Sequence, residues 1–279
     1  MFAAAPSEAP AQVQAFELQT LHLAQSESVI ELERRLRQGI EEEPTNALLH
    51  TRLGDLLRRQ GNYDEAIASY ERSIQLAPKN AFAYWGLGDV FSAQERFPDA
   101  IAAYQQAVQF SPEDPGIYYN LGIAQGNLRQ VDDAIASFQQ AVILDPTFVD
   151  AYIWLGIWLR EQGNFAEATT QLRKALKLDA SSMWAHVSLA NVLLDQGQLD
   201  EAIQLYRQAL DLPNQEGIGT SAAAHAHTNL GRALQQRGDL QGAIQQYQLA
   251  IDTDPNYSYA QQLLRQIQLE QIAPSKTPS

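Results

Sequence analysis

The sequence predicts an all-α protein built from stacked antiparallel helix pairs, and three observations predict it. Alanines recur 34 residues apart at Ala66, Ala100, Ala134, Ala168 and Ala202, and Ala243 follows after 41. A fixed period of this length marks one small unit repeated along the chain, because a single unit of that size cannot bury its own apolar face. In step with the alanines run Leu53, Leu87, Leu121, Leu155, Leu189 and Leu230, each followed by Gly or Ala. Within a repeat the apolar spacing is helical: Tyr84, Leu87, Gly88 and Phe91 fall at i, i+3, i+4 and i+7.

From the amino end, residues 1–12 are rich in Ala and Pro and carry no basic residue. They read as a disordered linker rather than a signal peptide, of the kind that follows an anchor or targeting segment. Residues 13–46 read as a degenerate repeat, with Leu32, Leu36, Gly39 and Pro44 in second-helix register. Six regular repeats are expected at 47–80, 81–114, 115–148, 149–182, 183–216 and 224–257. Four residues after each marker alanine stands Tyr70, Tyr104, Phe138, Leu172, Tyr206 or Tyr247, and three further on a small residue, Ser73 or Ala. The small residues let paired helices approach, while the large one fills the space between repeats. The insertion at 217–223 accounts for the 41-residue step and is expected as a longer loop plus an extended first helix of the last repeat. Residues 258–272, with Gln261, Gln262, Arg265, Gln266 and Gln268 among apolar positions, suit a polar-backed terminal cap. Residues 273–279 read as a disordered tail.

The turns carry their own chemistry. Gly61, Gly163, Gly197 and Gly238 stand where a positive φ ends a first helix. Glu95 and Arg129 occupy that slot in the second and third repeats, at a strain of about 1 kcal/mol or more for a side-chain-bearing residue. Second helices stop before Pro78, Pro112, Pro146 and Pro255. Ala180 replaces proline in the fourth repeat, whose second helix is therefore expected to run slightly longer. Asp64-Glu65, Asp132-Asp133 and Asp200-Glu201 fall in the first turn of second helices, where carboxylates favour the positive end of the helix dipole.

Together these slots (an aromatic, Leu-Gly, Ala, a second aromatic, Ala and Pro) resemble the tetratricopeptide repeat pattern over roughly residues 47–257. The resemblance implies a right-handed α-solenoid of antiparallel helix pairs with a C-terminal capping helix. It also implies that first helices line a concave groove that binds an extended or helical segment of a partner protein. Carried onto this chain, the groove positions include Arg52 and Asp55 in the first repeat and Phe82, Trp85 and Asp89 in the second. The third gives Tyr119, Asn120 and Ile123, the fourth Ile153, Trp154 and Ile157, and the last two Trp184, Asn191 and Asn229. None of the four tryptophans stands in the aromatic packing slot; Trp85, Trp154 and Trp184 fall on groove positions and Trp158 one turn beyond Trp154. An aromatic-floored groove across repeats two to five is expected, because such residues dominate interface energetics; the competing reading packs the indoles between neighbouring repeats. Asp55 and Asp89 suggest a ligand that is apolar with some basic character. The family's chaperone-binding members use a Lys, Asn, Asn, Lys, Arg clamp. Here Thr51, Asp55, Gly116 and Asn120 stand where that clamp needs Lys, Asn, Lys and Arg, which speaks against a co-chaperone.

The function implied is a non-enzymatic interaction scaffold or adaptor. Two alternatives stay open: a self-assembling structural protein that forms homo-oligomers, and a regulatory or assembly-factor module of a larger membrane-anchored protein. Runs such as Tyr104-Gln105-Gln106-Ala107 are similar to repeats of bacterial, in particular cyanobacterial, proteins that assist photosynthetic-complex or pigment-enzyme assembly.

Composition narrows the rest. With 33 acidic against 19 basic residues and a formal net charge of −14, the chain is a poor match for nucleic acid, whose binding rests on Lys and Arg. There are no cysteines, so thiolate metal sites and thiol redox chemistry are excluded. No run approaches the ~18 apolar residues of a membrane span, and a cytoplasmic protein is expected, or one held at a membrane by a segment outside this sequence. His50, His186 and His227 share one repeat slot and read as packing residues. His225 and His227 point about 200° apart on a helix and cannot clamp one metal. Gly217-Ile218-Gly219 lacks the preceding strand and third glycine of a phosphate loop. No catalytic constellation, cofactor or metal site is expected.

Overall fold

A computed structural model describes residues 28–212 and 219–272. The linker at 1–12, residues 13–27 of the degenerate repeat, the start of the insertion and the tail at 273–279 lie outside the described residues. The chain forms two compact units, divided between Glu113 and Asp114. Every described element in both is a helix or a turn.

The first unit holds α1 (residues 28–42), α2 (Ala47–Arg59), α3 (Tyr63–Leu76), α4 (Ala81–Ala93) and α5 (Phe97–Phe110). The second holds α6 (Pro115–Asn127), α7 (Val131–Leu144), α8 (Val149–Glu161), α9 (Phe165–Leu178), α10 (Met183–Asp195) and α11 (Leu199–Asp211). It ends with α12 (Gly219–Arg237), α13 (Leu240–Thr253) and α14 (Ser258–Ile272). Each even-numbered first helix from α2 to α12 packs on the odd-numbered second helix that follows it. Second helices also touch the next first helix, as in α3 with α4, α7 with α8, α9 with α10 and α11 with α12. First helices meet each other directly at α8–α10 and α10–α12. This is an all-α solenoid of helix pairs.

The marker alanines explain why the pairs close. Ala66, Ala100, Ala134, Ala168, Ala202 and Ala243 are all fully buried, and so are Tyr70, Phe138, Leu172, Tyr206 and Tyr247 in the large-residue slot. A Cβ on Gly86 would lie 2.4 Å from the Tyr70 ring, and one on Gly54 2.8 Å from it. That ring is thus clamped between its own repeat and the next, which only glycine permits. Ser73, the polar exception in the small slot, is fully buried. It is satisfied by Thr51 at 2.8 Å and Asn80 at 2.9 Å, as a buried hydroxyl must be.

First helices end in the left-handed geometry their glycines suit, with φ of 79° at Gly61, 86° at Gly163, 74° at Gly197 and 92° at Gly238. Glu95 and Arg129 adopt it too, both at φ 59°. They are held by the same hydrogen bonds: Arg96 N to Phe91 O at 2.8 Å repeats Asn62 N to Leu57 O at 2.9 Å.

One expectation needs correcting. The second helix of the fourth repeat does not run longer; α9 has 14 residues, like α3, α5 and α7. Asp179 replaces the proline's stop signal by accepting from the Ser181 amide at 2.9 Å and its hydroxyl at 2.6 Å, an Asx-type turn that competes with helix continuation. At the insertion, α12 begins at Gly219 and has 19 residues where α10 has 13, so the first helix of the last repeat is extended.

Candidate functional site

The second unit carries the candidate site, on first helices α6, α8 and α10. A hollow of about 400 Å³ is lined by Tyr119, Asp150, Ile153, Trp154, Ile157 and Trp184. A second hollow of about 300 Å³ is lined by Ile123, Gly126, Asn127, Arg129, Trp154 and Trp158. Trp154 belongs to both and stands as the ridge between them.

That ridge is held in place before any ligand arrives. The Trp154 ring stacks on Phe138, with ring centroids 6.4 Å apart and planes 11° from parallel. Tyr119 in turn packs against Phe148 at 4.9 Å. Burial raises the Tyr119 hydroxyl's pKa, and the nearby Asp150 carboxylate raises it further. The hydroxyl therefore stays protonated.

A pairing rule between helices explains why this face is apolar. Where the second helix supplies a tyrosine, the first helix supplies an acceptor, fifteen residues earlier in three repeats and twelve earlier for Tyr247, which donates to Gln235 at 2.8 Å. Tyr70 donates to Asp55 at 2.7 Å, Tyr104 to Asp89 at 2.9 Å and Tyr206 to Asn191 at 2.6 Å. In the third and fourth repeats the large residues are Phe138 and Leu172, which need no acceptor, and the matching positions are Ile123 and Ile157. Both isoleucines line the hollows.

The same rule relocates several predicted groove residues. Asp55 and Asp89 serve internal partners: each accepts from a buried tyrosine, and Asp89 lies 3.6 Å from Arg58. Burial opposes the Arg58 charge, yet Asp89, Tyr70 and Asp55 together hold its pKa above the ordinary value. The expectation of a basic ligand drawn from these two aspartates therefore falls. Asn191 accepts from both Tyr206 and Asn229, the latter at 2.9 Å, and Asn229 accepts from Arg232 at 3.2 Å. Both asparagines extend an internal network. In the first unit Arg52 is exposed, Phe82 is 64% exposed, and Trp85 is half-buried with its indole nitrogen lacking an acceptor. In the second unit Ile153 is buried at the floor of the larger hollow, Trp154 and Trp184 are half-buried, and Asn120 is half-buried on α6.

Trp158 departs from the sequence reading. It is a packing residue, 9% exposed, and a Cβ on Gly126 would lie 2.4 Å from its ring. Gly126 was the missed signal, because at its slot the other repeats place Arg58, Ser92, Arg160, Leu194 and Gln235. Gly126 also lines the smaller hollow. The adjacent histidines have separate partners: His225 lies between Trp184 at 6.4 Å and Tyr257 at 4.7 Å, while His227 hydrogen-bonds Gln246 at 2.8 Å.

Two family models described as tetratricopeptide repeat match the chain, one over residues 34–115 and 119–182, the other over 181–256. The chain belongs to the tetratricopeptide repeat family. Among solved structures it is similar to YrrB, a TPR protein with an unusual peptide-binding site, at 24% identity and a TM-score of 0.59, covering 68% of this chain and 96% of that one. It is also similar to MamA at 25% identity and a TM-score of 0.56, covering 59% and 90%. PilF of Pseudomonas aeruginosa matches at 18% identity and a TM-score of 0.63, covering 79% and 97%. A comparison with curated proteins gives no match. Tetratricopeptide repeat proteins are protein–protein interaction scaffolds, and the fold is generally a non-catalytic module. Among the described residues no helix is long and apolar enough to cross a membrane.

Proposed function

We propose that this tetratricopeptide repeat protein is a scaffold that holds an apolar segment of a partner protein in the double hollow of its second unit. The observation that carries the reading is Trp154. It is a half-buried indole held by a ring stack, with unfilled space on both sides. A rigid aromatic anchor lowers the ordering cost of binding and is the kind of residue that dominates interface energy. Trp184 supplies a second indole on the far wall of the larger hollow.

The test is affinity capture with the full chain, followed by titration of the captured partner against wild type and the Trp154→Ala/Trp184→Ala variant. Loss of at least tenfold in affinity, with helicity unchanged by circular dichroism, is expected. A folded double variant that binds the same partner equally well removes the proposal.

A further inference from the structure

Resting on the reading above, we infer that the double hollow selects an extended peptide carrying two bulky apolar side chains three residues apart, with a basic residue flanking one of them. The spacing follows from where the hollows lie. The larger reaches from Tyr119 on α6 across α8 to Trp184 on α10, and the smaller lies toward the C-terminal ends of α6 and α8, so their linings are offset along these helices by about 5–10 Å at 1.5 Å per residue. A chain in the polyproline conformation returns to the same face every third residue and advances about 9 Å in doing so. Its i and i+3 side chains straddle Trp154 and drop into the two hollows. A β-strand does not, because its third residue points to the opposite face.

The charge preference follows from the rim. Asp150 is exposed at the mouth of the larger hollow, and no cation pairs with it among the described residues. Other charges on neighbouring helices are already matched: Arg160 pairs with Asp195 at 2.6 Å, and Arg129, at the smaller hollow, pairs with Glu161 at 3.0 Å. The one open charge bordering the apolar space is therefore negative. A Lys or Arg beside the side chain seated in the larger hollow complements it, and an acidic residue there meets like charge next to a low-dielectric wall.

The experiment uses fluorescently labelled nine-residue peptides with two Phe three apart, Pro between them, and Lys outside one Phe or the other. Counterparts carry Glu in place of Lys. Anisotropy titration against the full chain at low salt is expected to show one Lys peptide binding about threefold tighter than its Glu counterpart, the scale of a single rim ion pair. On Asp150→Lys the preference should reverse, and on Trp154→Ala all binding should weaken by tenfold or more. Equal binding of Lys and Glu peptides on both wild type and Asp150→Lys overturns the inference. If that binding still depends on Trp154, the scaffold reading survives its failure. No binding of any peptide also overturns the inference, while capture of a partner through Trp154 and Trp184 is scored separately.

Discussion

Replacing Asn191 by isoleucine should be far more costly than the loss of one half-buried amide suggests, and replacing Tyr206 by phenylalanine at the same time should recover most of that cost. The Tyr206 side chain is fully buried and its hydroxyl donates to Asn191 at 2.6 Å. Asn191→Ile leaves that hydroxyl without an acceptor, a penalty of about 1–3 kcal/mol for a buried polar group. Tyr206→Phe alone is milder, about 1 kcal/mol or less, because Asn191 keeps its bond from Asn229 at 2.9 Å. The double variant recreates the Phe138/Ile123 pairing that the third repeat already uses, so its cost should approach that of Tyr206→Phe. The coupling is then at least about 1 kcal/mol, well outside the ~0.5 kcal/mol scatter of independent sites. Urea unfolding of all four proteins, followed by circular dichroism, measures it. Costs that simply add would refute the pairing rule, and with it the account of why the third and fourth repeats present an apolar face.

Gly86→Ala should destabilise by about 1–3 kcal/mol, although alanine is the better helix former. The new Cβ would lie 2.4 Å from a Tyr70 ring already hemmed in by Gly54, and a thermal melt showing stabilisation would contradict the clamp. Glu95→Gly should raise stability by up to about 1 kcal/mol, because it relieves a φ of 59° on a residue with a side chain; unaltered or lower stability would place no strain at that turn. Tyr247 has its pKa pushed up from 10.0 to about 12, chiefly by burial. The unfolded chain therefore loses this proton first, and the associated stability, intact below pH 10, is lost as pH rises from 10 toward 12. Denaturation midpoints of wild type and Tyr247→Phe across that window should diverge in slope, and parallel curves would count against the burial of that hydroxyl.

Much of the fold was legible because the repeat tests every position six times. One Ala slot or one Leu-Gly pair is ambiguous, but the same pair at a fixed period leaves a single packing solution. The positive φ at Glu95 and Arg129 could be read in the same way, from the glycines at equivalent turns. Legibility failed where a residue's role depends on a neighbour outside the register. Asp179 ends α9 through a side-chain turn that the missing proline concealed. Trp158 packs because Gly126, in a different repeat, makes room for it, and no single-repeat alignment pairs the two. By their slot Asp55 and Asp89 suggest ligand contacts, whereas the hydroxyls of Tyr70 and Tyr104 engage them from the second helix.

The last of these misreadings bears on how a repeat protein acquires a binding site. Surface and core in a stacked helix pair are not independently variable when a buried hydroxyl reaches through to the exposed face for its acceptor. A tyrosine in the second helix obliges a polar residue on the first, and exchanging it for Phe138 or Leu172 releases that position to become Ile123 or Ile157. Two such exchanges in consecutive repeats give a contiguous apolar strip rather than isolated exposed side chains. Trp154 lies on the strip stacked over Phe138, the residue whose lack of a hydroxyl makes the strip possible. A tyrosine at position 138 would bring a hydroxyl that Ile123 cannot accept, so the core choice and the ligand-facing choice have to change together. The apolar face of this chain is in that sense a consequence of its core chemistry.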